Sequence, residues 1–289
     1  MFKCMACGGA DSTLIYRGCV DYYLGKDYRA DYFRCAKCSL VQQHPLPPAE
    51  KIPAFYDAYP IHQRKSPLYD FMRWLLMGRV YFRPPRLSGP SASAPTVIDF
   101  GCGDGSFLAW IRRRQPELVL GGFELSPAQA RALTQALGVP VESDPQVLRN
   151  RWEGRADWVT LHYVLEHVTD LPGTFLRVHE LLKRGGGFYF VVPHFDSLER
   201  RLFGPRWHNL DSPRHISFPD DRSLAWLAGA HGFTIERAKN VAFPNGFAGS
   251  LAVWRGRFRF PLFLLALPLG VIFSRIFPGG SRAYWLRKI

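Results

Sequence analysis

Between residues 95 and 240 the chain alternates two hydrophobic rhythms. Short apolar runs at Thr96–Phe100, Leu118–Phe123, Trp158–His162 and Phe188–Val192 are bounded by glycine, proline or charge. They read as strands buried on both faces. Between them, apolar positions recur at helical spacing. Phe107, Leu108 and Ile111 share one face of a helix over 106–114. Ser126 and Pro127 supply the N-cap and first turn of a second helix, which Gly138 stops. Leu171 to Lys183 reads as a third, ended by the glycines 185–187. Strands alternating with helices predict an α/β fold, a doubly wound, mainly parallel sheet.

The flanks follow other patterns. Residues 1–45 hold two cysteine pairs around short aromatic, strand-like runs. Residues 46–94 form a basic, aromatic linker that contains an amphipathic pattern over 66–83 and closes on a Ser/Gly/Pro/Ala tract at 88–95. Residues 95–289 make the main domain, with an apolar insertion at about 255–279. Within it, 260–274 carries no charge between Arg259 and Arg275. Such a stretch is shorter than the ~20 residues a spanning helix needs. Pro268 and Gly270 invite a kink. Arg255, Arg257 and Arg259 precede it, and Arg275, Arg282, Arg287 and Lys288 follow. Basic residues on both sides argue against crossing a bilayer and for dipping in from one face. A core or dimer helix is the competing reading.

Composition sharpens this. Of 289 residues, 47% are hydrophobic and 21% charged, which excludes a globally disordered chain. The net charge of +13 suggests an anionic partner, nucleic acid, an anionic membrane surface or an acidic substrate, with a basic but non-binding surface as the alternative. No apolar h-region follows Met1, so a cytoplasmic location is expected, at the inner face of the membrane if 260–274 docks there. Thiols stay reduced in that compartment, and Cys4-Met-Ala-Cys7 with Cys35-Ala-Lys-Cys38 supplies four ligands for a structural zinc. A redox role for the pairs is the alternative.

The chemistry centres on Asp99-x-Gly101-x-Gly103-x-Gly105, between a strand and a helix. Glycines let the backbone turn sharply beside a ligand. Glu124 ends the next strand, where a carboxylate can accept both hydroxyls of a ribose. The same layout could hold a dinucleotide. However, Asp99 directly before the first glycine suits a cationic amino-acid ligand and would repel a pyrophosphate.

Taken in order, "VIDFGCGDGSF", "GFELSP", "ADWVTLHYVLEHV" and "LLKRGGGFYFVVP" resemble a class I S-adenosylmethionine-dependent methyltransferase over about residues 95–240. The first segment resembles the zinc ribbon that precedes many such enzymes. The resemblance implies a seven-stranded Rossmann-like sheet with an antiparallel last strand, matched here by residues 281–288, so that the apolar stretch is an insertion between the last two strands. It implies a cofactor site of Asp99, Gly101, Cys102, Gly103, Glu124, Leu125, Asp144 and His162. Asp99, Gly101 and Gly103 would line the methionine end, Glu124 would bind the ribose, and Asp144 would sit near the adenine unless it caps a helix. Cys102 also reads as a small core filler.

Catalytic candidates cluster at Tyr163, Glu166 and His167. A base often assists methyl transfer, and histidine has a suitable ordinary pKa. His167 is therefore the candidate base, with Glu166 orienting it or fixing the turn. Ubiquinone-type O-methyltransferases are similar here but carry a further glutamate where this chain has Tyr163. One carboxylate ligand is thus missing, and no catalytic metal is expected. The run from Gly204 to His215 resembles an acceptor-pocket motif, making His194, Trp207, Arg214 and His215 substrate-side candidates. Three functions stay open: a methyltransferase for a small-molecule, glycan or lipid-linked acceptor at a membrane surface; an RNA methyltransferase with a zinc-ribbon RNA-binding module; and a non-catalytic cofactor-fold module.

Overall fold

A computed structural model describes residues 2–56 and 94–289. The helix expected over 66–83 and most of the linker before residue 95 lie outside these. Near the N-terminus, β1 (Ser12–Val20) and β2 (Arg29–Cys35) form an antiparallel hairpin, β3 (Val41–Gln43) pairs with β2, and the short α1 (Ile52–Phe55) follows. The α/β part then runs β4 (Thr96–Phe100), α2 (Ser106–Arg114), β5 (Val119–Phe123), α3 (Pro127–Leu137), β6 (Val141–Glu142), α4 (Pro145–Trp152), β7 (Ala156–His162), α5 (Leu171–Leu181), β8 (Leu182–Pro193) and α6 (Leu198–Phe203). It continues with β9 (Ser217–Phe218), α7 (Asp221–Ala230), β10 (Phe233–Val241), α8 (Pro244–Leu251), β11 (Val253–Trp254), β12 (Arg257–Phe258), α9 (Phe260–Ile276) and β13 (Ser281–Lys288).

The large sheet has seven strands in the order β10-β13-β8-β7-β4-β5-β6. β13 runs antiparallel to both neighbours; the other pairings are parallel. Chain order reverses at β4, which lies between β5 and β7, and ligands of such sheets bind beyond the carboxyl ends of the strands at that reversal. Local chemistry explains the helices. The Ser126 side chain accepts from the Gln129 amide, and Gly138 ends α3 in the left-handed region. The glycines 185–187 do not stop a helix as expected. α5 ends at Leu181, and the glycines lie within β8. There, a Cβ on Gly187 would overlap the Trp158 ring, so the strand needs glycine to let that indole lie across it.

Apolar side chains cover both faces of the sheet. Val97, Phe107, Leu108, Ile111 and Leu133 fill one side; Phe175, Phe188, Phe190, Leu224 and Phe233 fill the other. Cys4, Cys35, Cys38 and Leu40 belong to this second cluster, so the N-terminal segment packs into the main core. Its sheet is completed from a distance: β9 pairs antiparallel with β3, giving the order β1-β2-β3-β9.

Between β10 and β13 the chain inserts α8, the β11–β12 hairpin and α9. No helix among the described residues is long and apolar enough to cross a membrane. α9 continues through Pro268 and docks on α8 by its small side chains, Ala266, Gly270 and Ser274. A Cβ on Gly270 would stand 2.4 Å from the Pro244 carbonyl oxygen, while Phe247 and Phe273 stack with centroids 4.0 Å apart. The large residues Phe260, Leu264, Leu265, Leu269, Ile272 and Ile276 are exposed. This is the reverse of an ordinary surface helix, which buries its large apolar stripe.

Two buried arrangements of ionisable groups bear on stability. Arg214 has no side-chain exposure. Nη1 donates to Asp21 Oδ2 at 2.7 Å, Nη2 to Asp21 Oδ1 at 2.9 Å, and both Nε and Nη2 donate to Asp211. Burial would raise the Asp211 carboxyl, but the guanidinium holds it at about 2. Removing one partner of a buried pair leaves the other charge uncompensated, at about 3–5 kcal/mol. Arg214→Met is therefore expected to cost roughly that much in urea unfolding; a loss below about 1 kcal/mol would refute this bracing role. The second arrangement is Glu199, which is buried, accepts from Trp207 Nε1 at 3.4 Å, and is pushed up to about 7 by burial. A raised carboxyl favours folding while protonated. Its contribution is complete below the unfolded value of 4.5 and is lost as pH rises through 7. Glu199→Gln should thus gain melting temperature over wild type at pH 8 but little at pH 4.5; parallel pH curves would contradict this.

Candidate active site

The glycine loop leaves β4 and is tied to the end of β5: the amides of Gly101 and Cys102 both donate to the Phe123 carbonyl. Gly101 (φ +79°) is required by packing, because a Cβ there would strike Val164 at 2.7 Å. Gly103 (φ +55°) borders open space, with nothing among the described residues within 4 Å of such a Cβ. Of the two, Gly103 is the one that leaves the backbone clear for a ligand.

Asp99 is buried at the end of β4. Its Oδ1 accepts from Thr160 Oγ1 at 2.8 Å and lies 3.2 Å from His162 Nδ1. His162, expected among the cofactor contacts, acts first as a partner of Asp99; its ring packs on Phe107 at 4.4 Å. Glu124 turns back onto the loop, with Oε2 accepting from the Gly103 amide at 2.9 Å and Oε1 from the Ser126 amide at 3.2 Å. An ionised carboxylate has about four acceptor positions, so capacity for a diol remains. Leu125 beside it is 76% exposed. Cys102 is buried in the core, and burial raises its thiol. Asp144 caps α4, accepting from the amides of Gln146 and Val147, which is the helix-cap alternative. The residues present fit a cofactor with an ammonium end and a ribose: a buried carboxylate, an open glycine turn and a half-buried glutamate lie along the carboxyl edges of β4 and β5.

Beyond β7 the backbone is strained. Tyr163 adopts φ +60°, which is rare for a bulky residue and concentrates at functional sites. Its hydroxyl donates to Ser281 Oγ at 3.0 Å, and burial raises its pKa. Glu166 is fully buried, with neither carboxylate oxygen hydrogen-bonded to another residue among those described, and burial pushes it up to about 8. It does not orient His167 through a hydrogen bond. His167 Nδ1 instead meets the Arg214 carbonyl at 3.0 Å and the Tyr56 hydroxyl at 2.9 Å. Burial lowers both His167 and its neighbour His215, the latter to about 3. The four substrate-side candidates separate. His194 lines an open cleft of about 360 Å³ with Ser197, Glu199, Asn240, Ile276 and Gly280. Trp207 is buried in a core with Phe195 and Phe218, Arg214 is enclosed by its two aspartates, and His215 donates from Nδ1 to the Asn209 carbonyl at 2.7 Å.

The four cysteines converge as the two knuckles imply. The sulfurs of Cys4 and Cys38 lie 3.5 Å apart, those of Cys7 and Cys35 lie 3.6 Å apart, and all four are within 4.8 Å of one another. Tetrahedral zinc with bonds of about 2.3 Å would set sulfurs about 3.8 Å apart, so the donor set fits that ion.

Sequence reasoning missed Asp21, Asp211 and Glu199. Asp21 reads locally only as a turn residue, accepting from the Tyr23 and Leu24 amides, since its ionic partner lies 193 positions away. Glu199 reads as an ordinary helix N-terminal acid until Gly246 and Gly280 are seen pressed against its carboxylate.

Solved structures share this architecture. An S-adenosylmethionine-dependent methyltransferase from Archaeoglobus fulgidus matches with TM-score 0.50, 13% identity, and coverage of 81% of this chain and 99% of its own. Phosphoethanolamine N-methyltransferase 2 of Haemonchus contortus, solved with S-adenosyl-L-methionine, matches with TM-score 0.52 at 14% identity over 86% of this chain and 62% of its own. No curated protein matches the sequence. Residues 79–238 match the family model described as a methyltransferase domain, and the chain belongs to that family, on the class I S-adenosylmethionine-dependent fold.

Proposed function

We propose that the protein methylates a small-molecule, glycan or lipid-linked acceptor that it meets at an anionic membrane surface. The observation that carries this reading is the position of the open cleft. Its wall includes Ile276 and Phe277, at the end of the helix whose large apolar side chains face outward. Arg255, Arg257, Arg259 and Arg275 flank that helix and are exposed. An outward apolar stripe bracketed by arginines suits burial at a headgroup boundary. At 17 residues, α9 is about 25 Å long, which favours lying at the surface over spanning it.

When bound, S-adenosylmethionine supplies an electrophilic methyl group on its sulfonium. Asp99 would hold the ammonium end, Gly103 would leave room for the backbone approach, and Glu124 with Leu125 would take the ribose. Tyr163 links this edge to the cleft, because its partner Ser281 adjoins Gly280 in the cleft wall. Among the lining residues, Glu199 and His194 can hold or take an acceptor proton. His167 does not line this cleft, so in this reading the base role falls to the cleft residues. The cysteines would carry a structural zinc that locks the N-terminal hairpin onto the core.

Two measurements test the reading. Glu124→Ala should weaken S-adenosylmethionine binding roughly 10–100-fold in calorimetry, as expected for losing charge-assisted hydrogen bonds to a diol; unchanged affinity would remove Glu124 from the site. In sedimentation with phosphatidylglycerol-containing vesicles, Leu265→Glu/Leu269→Glu should reduce pelleting roughly tenfold or more. Equal pelleting would overturn the membrane contact, and salt-sensitive retention on RNA without lipid binding would replace it with the RNA reading.

A further inference from the structure

Loss of a carboxylate ligand at Tyr163 argued against a metal beyond β7. Two loops meeting in space restore the missing donor. Glu166 and His167 follow β7, and His215 comes from the stretch before β9. One ligating atom from each lies within 4.8 Å of the other two, and the His167 and His215 rings stand 4.6 Å apart. The loops are bonded directly as well, with the Ile216 amide donating to the Glu166 carbonyl at 2.6 Å.

We propose that Glu166, His167 and His215 form a two-histidine, one-carboxylate site for a divalent transition-metal ion of the zinc class, distinct from the four-cysteine site. Three observations carry it. Glu166 is wholly buried, yet neither carboxylate oxygen has a hydrogen-bond partner from another side chain or backbone group among the described residues. Buried polar groups are almost always paired, and an unpaired buried carboxylate is costly. A cation bound between the two imidazoles would satisfy it. Second, the imidazoles are set in the tautomer that ligation requires. A backbone carbonyl can only accept, so the proton of His215 sits on Nδ1, facing Asn209; His167 Nδ1 faces the Arg214 carbonyl at 3.0 Å and the Tyr56 hydroxyl at 2.9 Å, and its bond to the carbonyl places the proton on Nδ1 as well. This leaves the lone pair of each ring on Nε2. Metal-binding histidines are held in the same way, with the second ring nitrogen donating to a carbonyl or carboxylate. Third, the donor set suits the ion. Two imidazoles and one carboxylate are the ligands of open zinc sites, whereas magnesium prefers oxygen. Three protein ligands leave a coordination position for water or an oxygen of a bound molecule. Asp211, with Oδ2 3.9 Å from His215 Nε2, is already paired with Arg214.

The test is metal content of the full chain, read with neither cofactor nor acceptor present, so that failure here leaves the methyl-transfer reading standing. After equilibration with micromolar zinc and gel filtration in metal-free buffer, wild type should carry two zinc ions per chain by atomic absorption. His215→Ala should carry one, and Cys4→Ser/Cys7→Ser should keep one. A single ion in wild type, or two retained in His215→Ala, would overturn the site. Should His215→Ala not fold, cobalt substitution of wild type decides. A second equivalent that adds weak ligand-field bands without further thiolate-to-cobalt charge transfer supports the site. A second equivalent that leaves the spectrum unchanged shows Glu166 to be a buried acid only, and ends the proposal.

Discussion

One guanidinium holds the molecule together. Arg214 receives Asp21 from the N-terminal hairpin region and Asp211 from the loop before β9, with no part of its side chain in solvent. Around it the backbone is committed in turn. Gln43 Nε2 donates to the carbonyls of Pro213 and His215, and the Tyr32 hydroxyl donates to that of His215. The ion pair is not valuable for its attraction alone, since burying charge is expensive. It matters because every member is paired, so the arrangement exists only when the hairpin and the loop occupy one relative position. The placement of His215 beside Glu166 and His167 follows from that constraint.

The cofactor side depends on a different device. Glycines at 101 and 103 serve separate ends: one yields space to Val164, the other keeps an open edge. Thr160 and His162, from the neighbouring strand, fix Asp99 through hydrogen-bonding groups. A carboxylate oriented in this way pays little reorganisation when a cation arrives. The strained Tyr163 follows His162 directly, and its hydroxyl bonds to Ser281, next to the cleft wall at Gly280.

How much of this was legible in the sequence follows from how local each signal is. Strand and helix identities from Thr96 to Val192 could be read because burial on both faces gives continuous apolar runs, and because caps such as Ser126 and Gly138 lie within a few residues of what they cap. The glycines at 185–187 misled, since the pattern that ends a helix is the same as one that admits Trp158 across a strand. The cysteine knuckles were legible from spacing. The substrate-side loop was not. Trp207, Arg214 and His215 look like binding residues in a list, and only the partners from residues 19–43 and 195–218 turn them inward. Long-range pairing leaves no periodicity to read.

The strand Ser217–Phe218 supplies the fourth position of a sheet whose first three strands end at Gln43. This has a consequence for synthesis on the ribosome. The N-terminal hairpin emerges first but lacks its edge strand and the Arg214 counter-charge until the intervening chain has been made, roughly 10–35 s later at ~5–20 residues per second. For that interval Asp21 has only its local amide partners, Tyr23 and Leu24, and the open edge of β3 waits for β9. A metal captured early by the four cysteines would reinforce the few links the nascent segment forms by itself, such as those of Gln42 with Lys3 and Met5, which gives the ribbon a reason to precede the domain it completes.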